Sequence, residues 1–321
     1  MKKIVKISNP ISWDKHGHWS FAHHTKSGNW GDFVFNINQS LQECDYWIIY
    51  GDIDETETVF CPPENVFFIT SEEKTQIIAY PPKFLKQFSK ILTSRDDIVH
   101  PDVTRMHYIC PWHVKKSYQE LSEMHTPLKK ETLSAIISTS TYLEGHKKRF
   151  AFINKLKGHF KDKLAWFAKG ENYIEDKWDG LHAYKYSIAI ENSSHLHYFT
   201  EKITDVYLAY TMPIYWGCPN ITDYFPSSSL IQIDIEDYKA SIIQIEKAID
   251  ENMYEKNIEH IKEARNLVLN QLQPIPSIVQ FLENSPISQA SKIKKTVYPI
   301  KKFTKDNILR KVFNKLKMSN L

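Results

Sequence analysis

At 321 residues the chain is too long for one ordinary core and suits two domains of common size. Apolar residues make up 42% and charged residues 25%, values of a soluble folded protein that exclude a disordered or collagen-like chain, and no run reaches the ~18 apolar residues of a membrane span. The net charge of +3 is uneven: residues 292–321 hold ten Lys or Arg against one acid, Asp306, so the first 291 residues sum to −6 and the basic character belongs to the tail.

The start, "MKKIVKISNPISW", has too brief an apolar segment for a signal peptide and reads as a first strand over 3–7. The four cysteines, Cys44, Cys61, Cys110 and Cys218, form no CxxC pair, which argues against a zinc knuckle or a disulfide framework and for a reducing compartment. The expected location is the cytoplasm. Further strands are predicted at 46–51, 66–70 and 91–94 in the first half, and at 134–139, 164–170, 186–191, 212–217 and 230–234 in the second. Helical patterns such as "HKKRFAFINKLK" and "KASIIQIEKAIDENM" lie between them, so the expectation is an α/β chain of βα units with mostly parallel sheets. The polar stretch 115–132 carries no strand signal and reads as the link between domains.

The stretch "YSIAIENSSHLHYFTEKITDVYLAY" (186–210) combines a buried strand, a polar loop and a helix with Phe199, Ile203, Val206 and Tyr210 on one face. Ligands of open parallel sheets bind beyond the carboxyl ends of strands, so Asn192, Ser193, Tyr198, Glu201 and Lys202 are predicted to surround a cleft. A helix amino terminus with Lys202 beside it suits phosphate, and Glu201 can accept hydrogen bonds from sugar hydroxyls. A plainer reading has Thr200 as a helix cap, Glu201 as a first-turn carboxylate and Lys202 in solvent.

The order of the pieces in "IENSSHLHYFTEKITDVYLAYTMPIYWGCPNITDYFP" resembles the α-1,3-fucosyltransferase motif of family 10 glycosyltransferases: an E-N-S triplet, a Y-x-T-E-K turn, a P-[IV]-x-[WY]-G strand and a later Y-F-P. The likeness is strong across 184–234 and looser upstream, where "IISTSTYLEGHKKRFAFINKL" and "VFFITSEEK" look like family segments. Ile190 departs from the Phe that often precedes E-N-S, and His195 and His197 fill variable loop positions.

The resemblance implies a GT-B architecture, two Rossmann-like domains facing across a cleft, that transfers L-fucose from GDP-fucose to a glycan hydroxyl with inversion and without an obligatory metal. It implies donor contacts from Arg149, Asn192, Tyr198, Glu201 and Lys202, with Arg149 and Lys202 on the diphosphate. Glu72 is the expected catalytic base, with Glu73 as its substitute; without the resemblance, Ser71 reads as a cap followed by two first-turn carboxylates. The expected layout is an acceptor-binding domain over 1–125, a nucleotide-sugar domain over 126–285 and a basic tail over 286–321.

Other patterns point less far. "GDID" places Asp52 and Asp54 as in a metal-binding DxD, yet a Lys–Arg pair already supplies the charge of a cation. The pairs His16/His18, His23/His24 and His195/His197 lack zinc-ligand spacing. Trp13, Trp19 and Trp30 suit either a sugar-stacking platform or a packed loop. In the tail, Ile308, Leu309, Val312, Phe313 and Leu316 form a stripe opposite basic residues, fit for an anionic membrane or for docking on the protein itself. No nucleic-acid-binding pattern accompanies it.

Overall fold

Apolar runs with near-continuous burial pair in parallel in both halves of the chain. The protein is described by a computed structural model covering residues 2–10, 28–71, 79–137, 144–168, 170–285, 288 and 290–304. It divides into one unit of Met1–Cys110 with Pro274–Leu321 and a second of Pro111–Gln273.

The first unit contains β1 (Lys3–Ser8), β2 (Asn29–Trp30), β3 (Phe33–Ile37), β4 (Tyr46–Tyr50), β5 (Glu57–Cys61), β6 (Val66–Ile69), β7 (Lys90–Thr93) and β8 (Val103–Arg105). Seven of them form a sheet in the order β2-β3-β1-β4-β6-β7-β8, parallel except for β2. Alternation along β4 shows why the run "YWIIY" is wholly apolar. Tyr46, Ile48 and Tyr50 pack on one face with Ile275, Ile278 and Leu282, whereas Trp47 and Ile49 pack on the other with Phe68, Phe84 and Val297. A parallel sheet covered on both sides needs no polar face.

The second unit contains β9 (Glu131–Ile136), β10 (Leu164–Phe167), β11 (Tyr184–Ile190), β12 (Met212–Trp216) and β13 (Ile231–Gln232), all parallel in the order β10-β9-β11-β12-β13. The helices Glu144–Phe160 and Glu201–Leu208 bury Phe152, Ile153 and Leu156, and Ile203, Val206 and Tyr207, in its core. The chain runs one way from β9 to β10 and the other way from β9 to β11. That reversal is a topological switch point, the place where open parallel sheets bind ligands.

Two expectations are corrected. The boundaries fall at 110/111 and 273/274, where the sequence suggested 125/126 and 285/286, and 115–132 is not a link: Tyr118–Glu123 is a helix inside the second unit, closed by a Ser117–Glu120 capping box. The reason for the second shift is an apolar stripe. Ile275, Ile278 and Leu282 recur at helical spacing on Pro274–Asn284 and complete the first unit's core, and β14 (Ile293–Val297) then pairs antiparallel with β5. Residues 290–304 therefore belong to the first unit and not to a separate tail, whose predicted apolar stripe, Ile308 to Leu316, lies outside the described residues. Tyr210 also departs from expectation, since the helix ends at Leu208 and Tyr210 turns out of it with φ +57°.

Candidate functional site

The site begins where β11 runs out. Glu191, the next residue, is fully buried; its Oε1 accepts the Thr200 backbone N–H and its Oε2 the Thr200 hydroxyl, each at 2.8 Å. Thr200 in turn caps the Glu201–Leu208 helix by accepting from the Lys202 backbone N–H at 3.3 Å. One carboxylate thus fastens the far end of the 191–200 loop to the strand that precedes it. Gly217, just past β12, makes room for it: a Cβ there would lie 2.4 Å from Glu191 Cγ.

Lys202 Nζ lies 3.1 Å from Thr200 Oγ1, 3.4 Å from Glu191 Oε2 and 3.5 Å from Glu201 Oε1, with 21% of its side chain exposed. It is held at the helix entrance, so the plainer reading of a solvated lysine does not describe it, although Thr200 is the cap that reading foresaw. Burial pushes the Glu191 carboxyl above its usual range against the pull of Lys202. Burial also opposes ionisation of Glu201, but Lys202, His113 and Lys177 outweigh it and hold that carboxyl well below the usual range.

Arg149 arrives from the other side of the switch point. Its helix, Glu144–Phe160, starts so close to the 191–200 loop that a Cβ on Gly145 would stand 1.7 Å from the Asn192 carbonyl oxygen. Only glycine permits that approach. One turn on, Arg149 Nη1 donates to Asn192 Oδ1 at 2.6 Å, yet Nε and Nη2 have no hydrogen-bond partner among the described residues and the side chain is 4% exposed. Burial lowers its pKa while Glu191, Glu201 and Tyr198 oppose the shift, and a guanidinium stays charged regardless. His146, between Arg149 and Lys202 in charge terms, is pushed down to about 4 by burial first and by those two cations next.

Five of the residues expected from sequence therefore gather at the carboxyl end of β11. Arg149 and Asn192 touch, Glu201 and Lys202 pair, and Tyr198, 5% exposed, sits within charge range of Arg149. Glu72 and Glu73 lie outside the described residues; before them, Ser71 is held by the Tyr80 hydroxyl on its N–H at 3.3 Å and by the Tyr108 hydroxyl on its carbonyl. Asp52 of the "GDID" triplet accepts the Ile300 backbone N–H at 2.9 Å, pinning the segment after β14. Trp13 and Trp19 are outside the described residues and Trp30 lies in β2. Sequence reasoning assigned no role to Glu191, Gly145 or Gly217. A carboxylate ending an apolar strand was the available signal for Glu191; the glycines are explained only by the neighbours they meet.

Arg149, with Nε and Nη2 unpartnered among the described residues, and Lys202, in the first turn of the Glu201–Leu208 helix, are side chains of the kind that suit a phosphate-rich anion. Residues 126–261 match the model described as Glycosyltransferase family 10 (fucosyltransferase) C-term. That match lies within the second unit and covers less than half of the chain. The chain is 31% identical over 103 residues to Alpha-(1,3)-fucosyltransferase FucT of Helicobacter pylori, covering 32% of this chain and 19% of that protein. It is 32% identical over 93 residues to Alpha-(1,3)-fucosyltransferase B of Drosophila melanogaster, covering 28% and 21%. The matched region thus spans about a fifth of these curated relatives. A solved α1,3-fucosyltransferase with GDP aligns over 89% of this chain and 92% of its own, with TM-score 0.53 and 19% identity, and another α1,3-fucosyltransferase structure over 89% and 92% with TM-score 0.51 and 18% identity. The fold is therefore of the GT-B type, built on two Rossmann-like units.

Proposed function

We propose that this protein is a family 10 enzyme that transfers L-fucose from GDP-fucose to a glycan hydroxyl, in an α-1,3-type linkage and with inversion at the anomeric carbon. The observation that carries the reading is Arg149: a buried guanidinium with Nε and Nη2 unpartnered among the described residues, beside Asn192 at the switch point of a unit that matches the family 10 model. Buried donors without acceptors cost about 1–3 kcal/mol each, and a diphosphate removes that cost.

In the proposed reaction the acceptor oxygen attacks the anomeric carbon as the bond to the β-phosphate oxygen breaks, and GDP leaves with the bonding electrons. Arg149 and Lys202 hold the departing diphosphate and carry the charge that a metal would otherwise bring, so no obligatory metal is invoked. Asn192, Tyr198 and Glu201 contact the ribose, fucose or phosphate. Glu72 takes the acceptor proton. The proposed acceptor is a bacterial surface glycan such as a lipopolysaccharide chain, reached from the inner face of the cytoplasmic membrane by way of the basic residues after 304. No helix among the described residues is long and apolar enough to cross a membrane.

The test is incubation with GDP-fucose followed by quantification of released GDP and fucosylated product, beside a thermal-shift series of nucleotide sugars. Stabilisation by GDP-fucose with slow GDP release is expected. Stabilisation by UDP-sugars alone, or an intact donor after prolonged incubation, contradicts the reading.

A further inference from the structure

Behind the donor-facing end of the Glu201–Leu208 helix stands a second group of charges to which the reaction above gives no task. Lys177 Nζ lies 3.1 Å from Asp205 Oδ2, 3.5 Å from Glu201 Oε1 and 3.5 Å from His113 Nδ1. Asp205, 2% exposed, also accepts the His113 backbone N–H on Oδ1 at 2.8 Å. Glu201 and Asp205 are one helical turn apart and share a face, an arrangement in which two carboxylates repel. A single ammonium bridges them.

The lysine is delivered by a fixed turn. Asp176 Oδ1 accepts the N–H groups of Trp178 and Lys115, both at 3.0 Å, Lys115 Nζ reaches Glu175 at 2.7 Å, and the Trp178 side chain is buried. Three basic groups converge on Glu201 Oε1: Lys177 and Lys202, each at 3.5 Å, and His113 Nδ1 at 3.8 Å. Lys202 is also the proposed phosphate ligand, so its charge is shared with an incoming anion. Lys177 points instead at Asp205, which stays with the protein.

We propose that Lys177 is a positioning residue for the donor site: anchored on Asp205, its ammonium fixes the Glu201 carboxylate through Oε1 while the diphosphate draws on Lys202. The consequence for donor binding rests on the function proposed above; the bridge itself does not. Within the second unit, the titratable or charged groups facing Glu201 are Lys202, Glu191 and Arg149 on the donor side and Lys177, His113 and Asp205 behind it. Removing Lys177 leaves Asp205 to oppose the ionised form of Glu201.

The experiment uses the full chain with 13C-labelled glutamate carboxyls, the Glu201 signal being assigned by its loss in Glu201→Gln. In ligand-free wild type that carboxyl stays ionised through mildly acidic pH. Lys177→Met moves its titration upward by about one pH unit or more, and Lys177→Arg restores most of the shift. In the same proteins the KM for GDP-fucose rises about tenfold in Lys177→Met, more at pH 5.5 than at pH 8, with kcat changed less. Lys177→Gln, which can still hydrogen-bond Asp205, serves if the Met variant fails to fold. An unmoved Glu201 titration in a folded variant overturns the proposal, as does a moved titration with an unchanged KM. Wild type that ignores GDP-fucose while Lys177→Met still moves Glu201 overturns the fucosyltransferase reading and leaves the bridge standing.

Discussion

Two buried arginines of the second unit, Arg149 and Arg265, are 4% and 6% exposed, and they differ in what their N–H groups meet. Arg265 donates from Nε to the Leu208 carbonyl at 3.0 Å and from Nη2 to the Leu121 carbonyl, and its guanidinium stacks 4.2 Å over the Tyr210 ring. Near it, Lys129 Nζ donates to the Ala209 carbonyl at 2.6 Å, the His182 carbonyl at 2.8 Å and Thr211 Oγ1 at 2.8 Å. These cations meet the carboxyl end of the Glu201–Leu208 helix, where the dipole is negative and carbonyls lack partners. Arg149, near the other end of that helix, has one side-chain acceptor and two nitrogens, Nε and Nη2, without any among the described residues. Burial alone does not mark a functional cation. A buried one with donors left over among the described residues is the better candidate, because folding gains nothing from leaving it so.

The largest expected effect separates the two arginines directly. Arg149→Ala is predicted to lower kcat/KM for GDP-fucose by about 10²–10³-fold, the usual loss for one donor to developing charge, while its melting temperature changes little. Arg265→Met is predicted to do the reverse, costing about 3 kcal/mol of stability on denaturant unfolding through two orphaned carbonyls and lost ring contact, with GDP affinity of the folded protein retained. If both variants lose affinity with intact stability, the contrast is wrong.

Thr200→Val sharpens the comparison within the amino-terminal end. It removes the helix cap and the hydroxyl on Glu191 Oε2 together, so a loss of about 1–2 kcal/mol in unfolding free energy is expected, with a weaker effect on donor KM. The smallest effect concerns protons. His146 sits at about 4 because of burial, Arg149 and Lys202, against an ordinary 6.5. A diphosphate that neutralises the two cations raises that pKa, so binding takes up a fraction of a proton between about pH 4 and 6.5, and affinity rises as pH falls through that window. Calorimetry of GDP binding in buffers of different ionisation enthalpy measures the uptake. No uptake, or release, places the anion elsewhere.

Most parallel strands were readable because a strand buried on both faces is a plain apolar run, as in "YWIIY" of β4 and "MPIYW" of β12, whereas the parallel β3 and β8, only partly buried, were not predicted. β5 and β14 were not. Their residues alternate, "ETVFC" and "IKKTV", and their pairing joins Cys61 to Ile293 across most of the chain, so Lys294 and Lys295 entered the reading only as tail charge. The return of Pro274–Asn284 to the first unit is non-local in the same way. At the site, side chains adjacent in the motif, Asn192, Tyr198, Glu201 and Lys202, could be named from order and spacing. Glu191 could not, since its role depends on Thr200 closing the loop and on Gly217 leaving space. Lys177 and Asp205 required the fold to bring a 3-10 turn against a helix 28 residues on.

The most direct test of the account is a calorimetric titration of GDP into wild type and into folded Arg149→Ala. The account predicts saturable binding by wild type and at least about a hundredfold loss in the variant. Equal affinity in the two proteins contradicts it, because the buried guanidinium would then have no part in holding the diphosphate.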